Sequence, residues 1–184
     1  MRLPRLFAAA ALLVLAGCGG AGGGAGATAQ GLAYANPANA QGQFALVLDA
    51  AASSGSTLVL DLVGPAATPA VGVTFGFNLD TTRAAWAATP VSNGTLFTLG
   101  AGTQLARGWV DGPSLQGIVS NKGLASQVAD IGSAQGVIAR IELTAVPGAP
   151  AGAVSLVDNG LGTVLDSSGQ SQPIQVQVGA LTIN

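Results

Sequence analysis

The sequence predicts an all-β sandwich of about nine or ten short strands. Three observations lead there. Apolar and polar residues alternate with period 2 in several segments, clusters of Gly, Pro, Asn and Asp separate those segments at short intervals, and nothing carries a long helical pattern. The composition fits one folded domain: 184 residues, 49% hydrophobic and only 8% charged. It also excludes chemistry. There is no histidine, so neither a Ser-His-Asp nor a Cys-His pair can form and no imidazole can bind a metal. The single cysteine can make neither an internal disulfide nor a thiolate zinc site. Six basic against eight acidic residues give no basic surface for nucleic acid.

Residues 1–17 read as a signal peptide. Arg2 and Arg5 precede the apolar run Leu6 to Leu15, which is well short of the ~20 residues that a spanning helix needs, and small residues follow. Leu15-Ala16-Gly17-Cys18 resembles the lipobox of bacterial lipoproteins. That resemblance implies that Cys18 becomes the acylated mature N-terminus, tethering the chain to a membrane. Acyl burial contributes about 0.8 kcal/mol per methylene, so two or three chains hold where one would be marginal. Gly19 rather than aspartate follows the cysteine, which by the same resemblance points to the outer membrane of the cell envelope more than the inner. Loss of residues 1–17 leaves Arg83, Arg107, Lys122 and Arg140 against all eight acids, a mildly acidic remainder. The linker, residues 18–40, begins with the almost pure Gly/Ala stretch Gly19 to Gly31, which cannot bury enough apolar area to fold and reads as a flexible tether. Leu32 to Ala40 reads as an irregular lead-in, with Tyr34 and Pro37 packing on the domain.

The domain is expected over residues 41–184. In Val71 to Asp80 the odd positions are Val, Val, Phe, Phe and Leu, so one face is core and the other is solvent. Gly136 to Val146 places Val137, Ala139, Ile141, Leu143 and Ala145 on one side, and Ile138, Arg140, Glu142 and Thr144 on the other. Pro173 to Asn184 turns Ile174, Val176 and Val178 inward, and its apolar phase shifts after Gly179 to Leu181 and Ile183, which predicts a β-bulge there. Further strands are expected at Gln43 to Ala50, Thr57 to Val63, Leu96 to Leu99, Leu105 to Asp111, Leu115 to Ser120, Ala153 to Val157 and Gly162 to Asp166. Thr81 to Ala88 and the stretch around Leu124 to Ala129 read as short helical turns.

Three segments in this order resemble a cohesin-like domain, within the β-sandwich superfamily shared by cohesins and some carbohydrate-binding modules. They are Val71-Gly72-Val73-Thr74-Phe75-Gly76-Phe77-Asn78-Leu79-Asp80, Gly136-Val137-Ile138-Ala139-Arg140-Ile141-Glu142-Leu143, and the closing Val176-Gln177-Val178-Gly179-Ala180-Leu181-Thr182-Ile183. The resemblance implies a jelly-roll-like sandwich of about nine strands. It also implies non-catalytic binding of a dockerin-like protein or of polysaccharide.

Two sets of residues are candidates for that binding. One is a flat sheet face with small residues, Gly72, Thr74, Gly76 and Asn78, suited to a protein partner. The other is Trp109, in phase with Arg107 and Asp111, where an indole between a guanidinium and a carboxylate can stack on a sugar ring. Equally, Trp109 covers a sandwich edge and its two neighbours are ordinary solvated charges. Trp86 reads as a plug between a loop and the core, and Arg140 as pairing with Glu142 or with a charge on a neighbouring strand. Asp158-Asn159-Gly160 and Asp166-Ser167-Ser168-Gly169 are hairpin-turn sequences without a calcium-loop pattern, so no metal or other cofactor is assigned. No pair of carboxylates clusters as a glycosidase would require, and the only lysine, Lys122, stands in a turn, so no catalytic residue is assigned. The alternative to a binding module is a structural envelope lipoprotein without a specific ligand.

Overall fold

The computed structural model describes residues 31–65, 68–97, 103–122, 129–131 and 136–184. Residues 1–30 and 123–128 lie outside them, and with them the signal peptide, Cys18, nearly all of the Gly/Ala stretch and most of the turn expected around Leu124. Everything regular among the described residues is strand.

One sheet runs in the order β15 (Val176–Gln177), β2 (Phe44–Leu48), β3 (Thr57–Val63), β10 (Ala139–Ala145) and β6 (Ala84–Asn93). The other runs β14 (Ser171–Pro173), β13 (Thr163–Leu165), β5 (Gly72–Leu79), β8 (Ser114–Lys122) and β7 (Thr103–Asp111). A sixth strand, β12 (Leu156–Asp158), lies beyond β13 along the same edge of β5. A third sheet joins β1 (Leu32–Ala35), β16 (Ala180–Ile183) and β11 (Gly152–Val154), and β4 (Thr68–Ala70) pairs with β9 (Ala129–Ile131). This is the jelly-roll-like sandwich, cut into more and shorter segments than about nine because several strands break where the chain changes partner.

Alternation builds the core between the two large sheets. Leu58, Leu60 and Leu62 of β3 and Ile141 and Leu143 of β10 face Val73, Phe75, Phe77 and Leu79 of β5 and Leu115 and Val119 of β8, all buried. The rings of Phe75 and Phe77, two residues apart on one strand face, lie 6.0 Å apart and tilted by 39°. Opposite Phe75 on β8 stands Gly117, and the ring occupies the space a side chain would take: a Cβ there would come within 2.2 Å of Phe75 Cε2.

Five expectations are corrected. Thr81 to Ala88 is not helical. Asp80 closes a turn by accepting the Thr82 amide (3.0 Å) and hydroxyl (2.6 Å), and β6, ten residues long, follows from Ala84. Its alanines favour helix in isolation, but pairing of Ala84, Ala85 and Trp86 with Ala145, Thr144 and Leu143 decides the outcome. Leu32 to Ala35 is a strand rather than a lead-in, so the sheets start before Gln41. Tyr34 is buried there; its hydroxyl donates to Leu46 O (3.2 Å) and accepts from the Gly179 amide (2.6 Å), and burial raises its pKa despite that second bond.

The phase change at Gly179 is not a bulge. β15 pairs parallel to β2 in the five-stranded sheet, whereas β16 pairs with β1 in the third sheet, so the chain crosses between sheets at this residue. A Cβ at Gly179 would lie 1.9 Å from Ala35 O, which is why the crossing takes glycine. Finally, Ile138 is fully buried instead of facing outward. It precedes β10, and the turn at Thr95 and Leu96 folds onto its neighbour through two amides donated to Val137 O (2.8 and 2.9 Å). Leu96 and Phe97 belong to that turn, not to a strand; Thr98 and Leu99 lie outside the described residues.

Candidate functional site

Cross-strand register defines the outer face of the six-stranded sheet row by row, because partners opposite one another point the same way. One row holds Leu165, Gly72, Ser120 and Leu105; the next Thr163, Thr74, Ile118 and Arg107; the third Gly76, Gln116 and Trp109; the last Val157, Asn78, Ser114 and Asp111. All five binding residues expected from sequence within the described domain, Thr74, Asn78, Arg107, Trp109 and Asp111, therefore share one face. The two candidate sets are neighbouring columns of a single surface. Arg107, Trp109 and Asp111 form its margin on the edge strand β7, and all three are exposed.

The centre of the face is tied together by its own polar groups. Thr74 Oγ1 lies 2.8 Å from Thr163 Oγ1 and accepts the Thr163 amide at 3.1 Å, which locks β5 to β13. Ser114 Oγ donates to Asn78 Oδ1 at 2.6 Å, which locks β5 to β8. Gly72 and Gly76 are buried rather than open, and the Asn159 carboxamide lies over Gly76 while its backbone amide donates to Gly76 O (3.1 Å). The small-residue strip is thus roofed at Gly76 by the loop between β12 and β13.

Around this centre stand apolar side chains. Among the described residues the exposed large hydrophobics are Trp109 (50%), Val110, Val157, Leu161 and Leu165. Trp109, Val157 and Leu165 stand on this face, and Leu161 sits in the loop beside it, its carbonyl next to Thr74 Oγ1. Sequence reasoning picked out Trp109 alone. The signal for the others was present: Leu156-Val157 and Val164-Leu165 are apolar doublets, and a two-faced strand must send one member of a doublet outward.

The outer face of the five-stranded sheet is different in kind. Arg140 on β10 reaches Asp61 on β3 (Nε to Oδ1, 3.2 Å) and Asp49 just beyond β2 (Nη2 to Oδ2, 3.3 Å), not Glu142. Burial raises the Asp61 pKa above its ordinary 3.8, outweighing the pull of the guanidinium. The turn acids spend their oxygens on backbone: Asp158 on the Gly160 and Val176 amides, Asp166 on the amides of Ser168 and Gln170 and the Ser168 hydroxyl. Hydrogen bonds from Thr82 to Asp80 and from Ser168 to Asp166 lower the pKa of these two exposed acids. Among the described residues no group of three His, Cys, Asp or Glu could hold a metal ion, and no helix is long and apolar enough to cross a membrane.

Trp86 sits on β6, half-buried against the core, and its indole N–H donates to Pro113 O (3.2 Å). Pro113 lies in the turn between β7 and β8, so Trp86 ties that loop to the core as expected.

No family model matches the sequence, and no curated protein does. Solved structures do. The sixth cohesin of scaffoldin B from Acetivibrio cellulolyticus, solved in complex with a Cel5 dockerin, aligns over 75% of this chain and 96% of its own with a TM-score of 0.54 at 19% identity. Type II cohesin A11 from Bacteroides cellulosolvens aligns over 76% and 98%, with a TM-score of 0.57 at 16% identity. The second type II cohesin module of the Acetivibrio cellulolyticus adaptor scaffoldin gives 0.57 at 15%, over 74% and 91%. At these identities the likeness shows a cohesin-like β-sandwich fold.

Proposed function

We propose that this chain is a non-catalytic binding module, anchored to the bacterial cell envelope through acylated Cys18, that engages a dockerin-like protein on the outer face of its six-stranded sheet. The observation that carries the reading is the gathering of exposed apolar side chains, Trp109, Val157, Leu161 and Leu165, around a centre whose polar groups are satisfied by one another. A solvated face has no use for such a ring, whereas an interface core excludes charge and takes aromatics. The fold supports the choice of partner, since a structure of the same architecture was solved with a dockerin bound. Residues 1–17 direct export and residues 18–40 link anchor to domain in this reading, with the outer membrane as destination.

Calorimetric titration of the purified chain with a panel of dockerin modules tests it. One of them binds, and Ile118→Asp, which puts a carboxylate in the middle of the face, weakens it by about 100-fold. Binding untouched by that change places the partner elsewhere, and no binding across the panel refutes the partner class. Labelling with radioactive palmitate tests the anchor: wild type is marked and Cys18→Ala is not.

A further inference from the structure

The two tryptophans of the whole sequence converge on the open edge of the sandwich, where β6 ends one sheet and β7 the other. The β6 ladder is interrupted there. Trp86 pairs with Leu143 and Val91 with Ile141, so residues 87–90 face the single position of Glu142 and stand out of the sheet. Pro90, which has no amide to donate, falls in that excursion. The excursion leans on β7, with Val91 packed over Gly108. On either side of it lies a concavity: one of about 400 Å³ lined by Trp86 and Val110, the other of about 410 Å³ lined by Trp109 and Arg107, with Ala88, Pro90 and Gly108 forming the wall common to both.

We propose that these adjoining concavities form a groove for a neutral oligosaccharide, with at least one sugar ring in each. The chemistry of the lining chooses the ligand. Each hollow has one indole, and each is within the size range of small-ligand sites. The Trp86 N–H is already committed to Pro113 O, so that ring is held in place before any ligand arrives. The hydrogen-bonding side chains are the Thr81 and Thr89 hydroxyls, and the only charge across both linings is Arg107. A pyranose matches this pattern, with an apolar C–H face for the indole and hydroxyls for neutral donors and acceptors. An anionic ligand would find one guanidinium, and a cationic ligand would find no carboxylate. The groove shares Trp109 and Arg107 with the margin of the proposed docking face but none of its centre, so sugar and protein binding are separated by substitutions away from that shared margin.

Because both tryptophans line the groove, intrinsic emission reports on it directly. The full chain is titrated with neutral hexaoses of β-1,4-glucan, β-1,4-xylan, β-1,4-mannan and β-1,3-glucan, with an oligogalacturonate as the charged comparison. At least one neutral hexaose gives a saturable change with Kd below about 1 mM, and its monosaccharide binds at least about ten-fold more weakly. Ala88→Arg, at an exposed position on the common wall, and Trp109→Ala each weaken binding at least about ten-fold while circular dichroism stays unchanged. Leu165→Asp, which strikes the proposed protein-binding ring on the far side of the sheet from β7, leaves sugar binding intact, which separates this site from the protein-binding reading. No saturable response to any neutral hexaose, a response to the charged oligomer alone, or binding that survives both Ala88→Arg and Trp109→Ala overturns the proposal.

Discussion

The outer faces of the two large sheets are products of the same strand alternation, yet they end up opposite in character. On the five-stranded sheet Arg140 is clasped by Asp49 and Asp61, so the charges at the middle of the outward face are paired with one another. On the six-stranded sheet the centre is neutral, the Thr74, Thr163 and Ser114 hydroxyls are spent on neighbouring side chains, and the margin mixes exposed apolar groups with Arg107 and Asp111, neither of which is in an ion pair among the described residues. The difference is between a face whose charges are satisfied within the fold and one that, on the proposed reading, is left open to a partner. Stability and binding should therefore respond to different substitutions.

The sharpest way to break this contrast is from beneath. Gly117→Val drives a side chain into the Phe75 ring under the proposed binding face and should cost roughly 3 kcal/mol of stability, read from urea denaturation. If the sheet accepts it without loss, the packing beneath is not what supports the outer face. Next in size is Ile118→Asp, which loses about 100-fold in partner affinity with an unfolding midpoint close to wild type. A large fall in stability would show that Ile118 belongs to the core instead. On the other sheet the signs exchange. Arg140→Met leaves two carboxylates, each with its side chain 14% exposed, without their cation. Because the guanidinium is itself 40% exposed, the cost should be only about 1 kcal/mol, with partner binding unchanged.

The smallest effect is with pH. Folded Asp61 takes its proton more readily than the unfolded chain does, because its pKa is raised. Its contribution to stability therefore increases as pH falls through the folded value toward 3.8, and Asp61→Asn removes that gain. Asp80 and Asp166 act in the other direction. Their folded pKa values are lowered, so their contribution is complete above 3.8 and is lost as pH falls through the folded values. Denaturation midpoints of wild type, Asp61→Asn and Asp166→Asn across the acid range separate the two limbs.

Much of this was legible in the residues. The alternation in Val73, Phe75, Phe77 and Leu79 and in Ala139, Ile141 and Leu143 identified both layers of the core, since burial on one side leaves a period-2 trace. Thr74, Asn78, Arg107, Trp109 and Asp111 were each named as candidates, but that they share one face was not legible, because it depends on β7 and β8 pairing as a hairpin and on the register of β8 against β5. Two misreadings had the same root. The alanines of β6 suggested helix and the glycine at 179 suggested a bulge, and in both cases a partner distant in sequence decided the outcome. The apolar doublets at 156–157 and 164–165 were visible but unused; they mark where an outward hydrophobe must stand.

The pairing of β1 with β16 sets the order in which the molecule can be completed. Leu32 lies opposite Ile183, and the amide of Asn184 donates to Gly31 O at 3.1 Å. The first of the described strands to be made is therefore the one that waits longest, with Tyr34 unable to reach the Gly179 amide until that distant segment has been synthesised. A nascent chain halted before β16 would lack the ladder that holds β1, and its front end would keep only such bonds as those from Tyr34 to Leu46 O and from the Leu48 amide to Asn36.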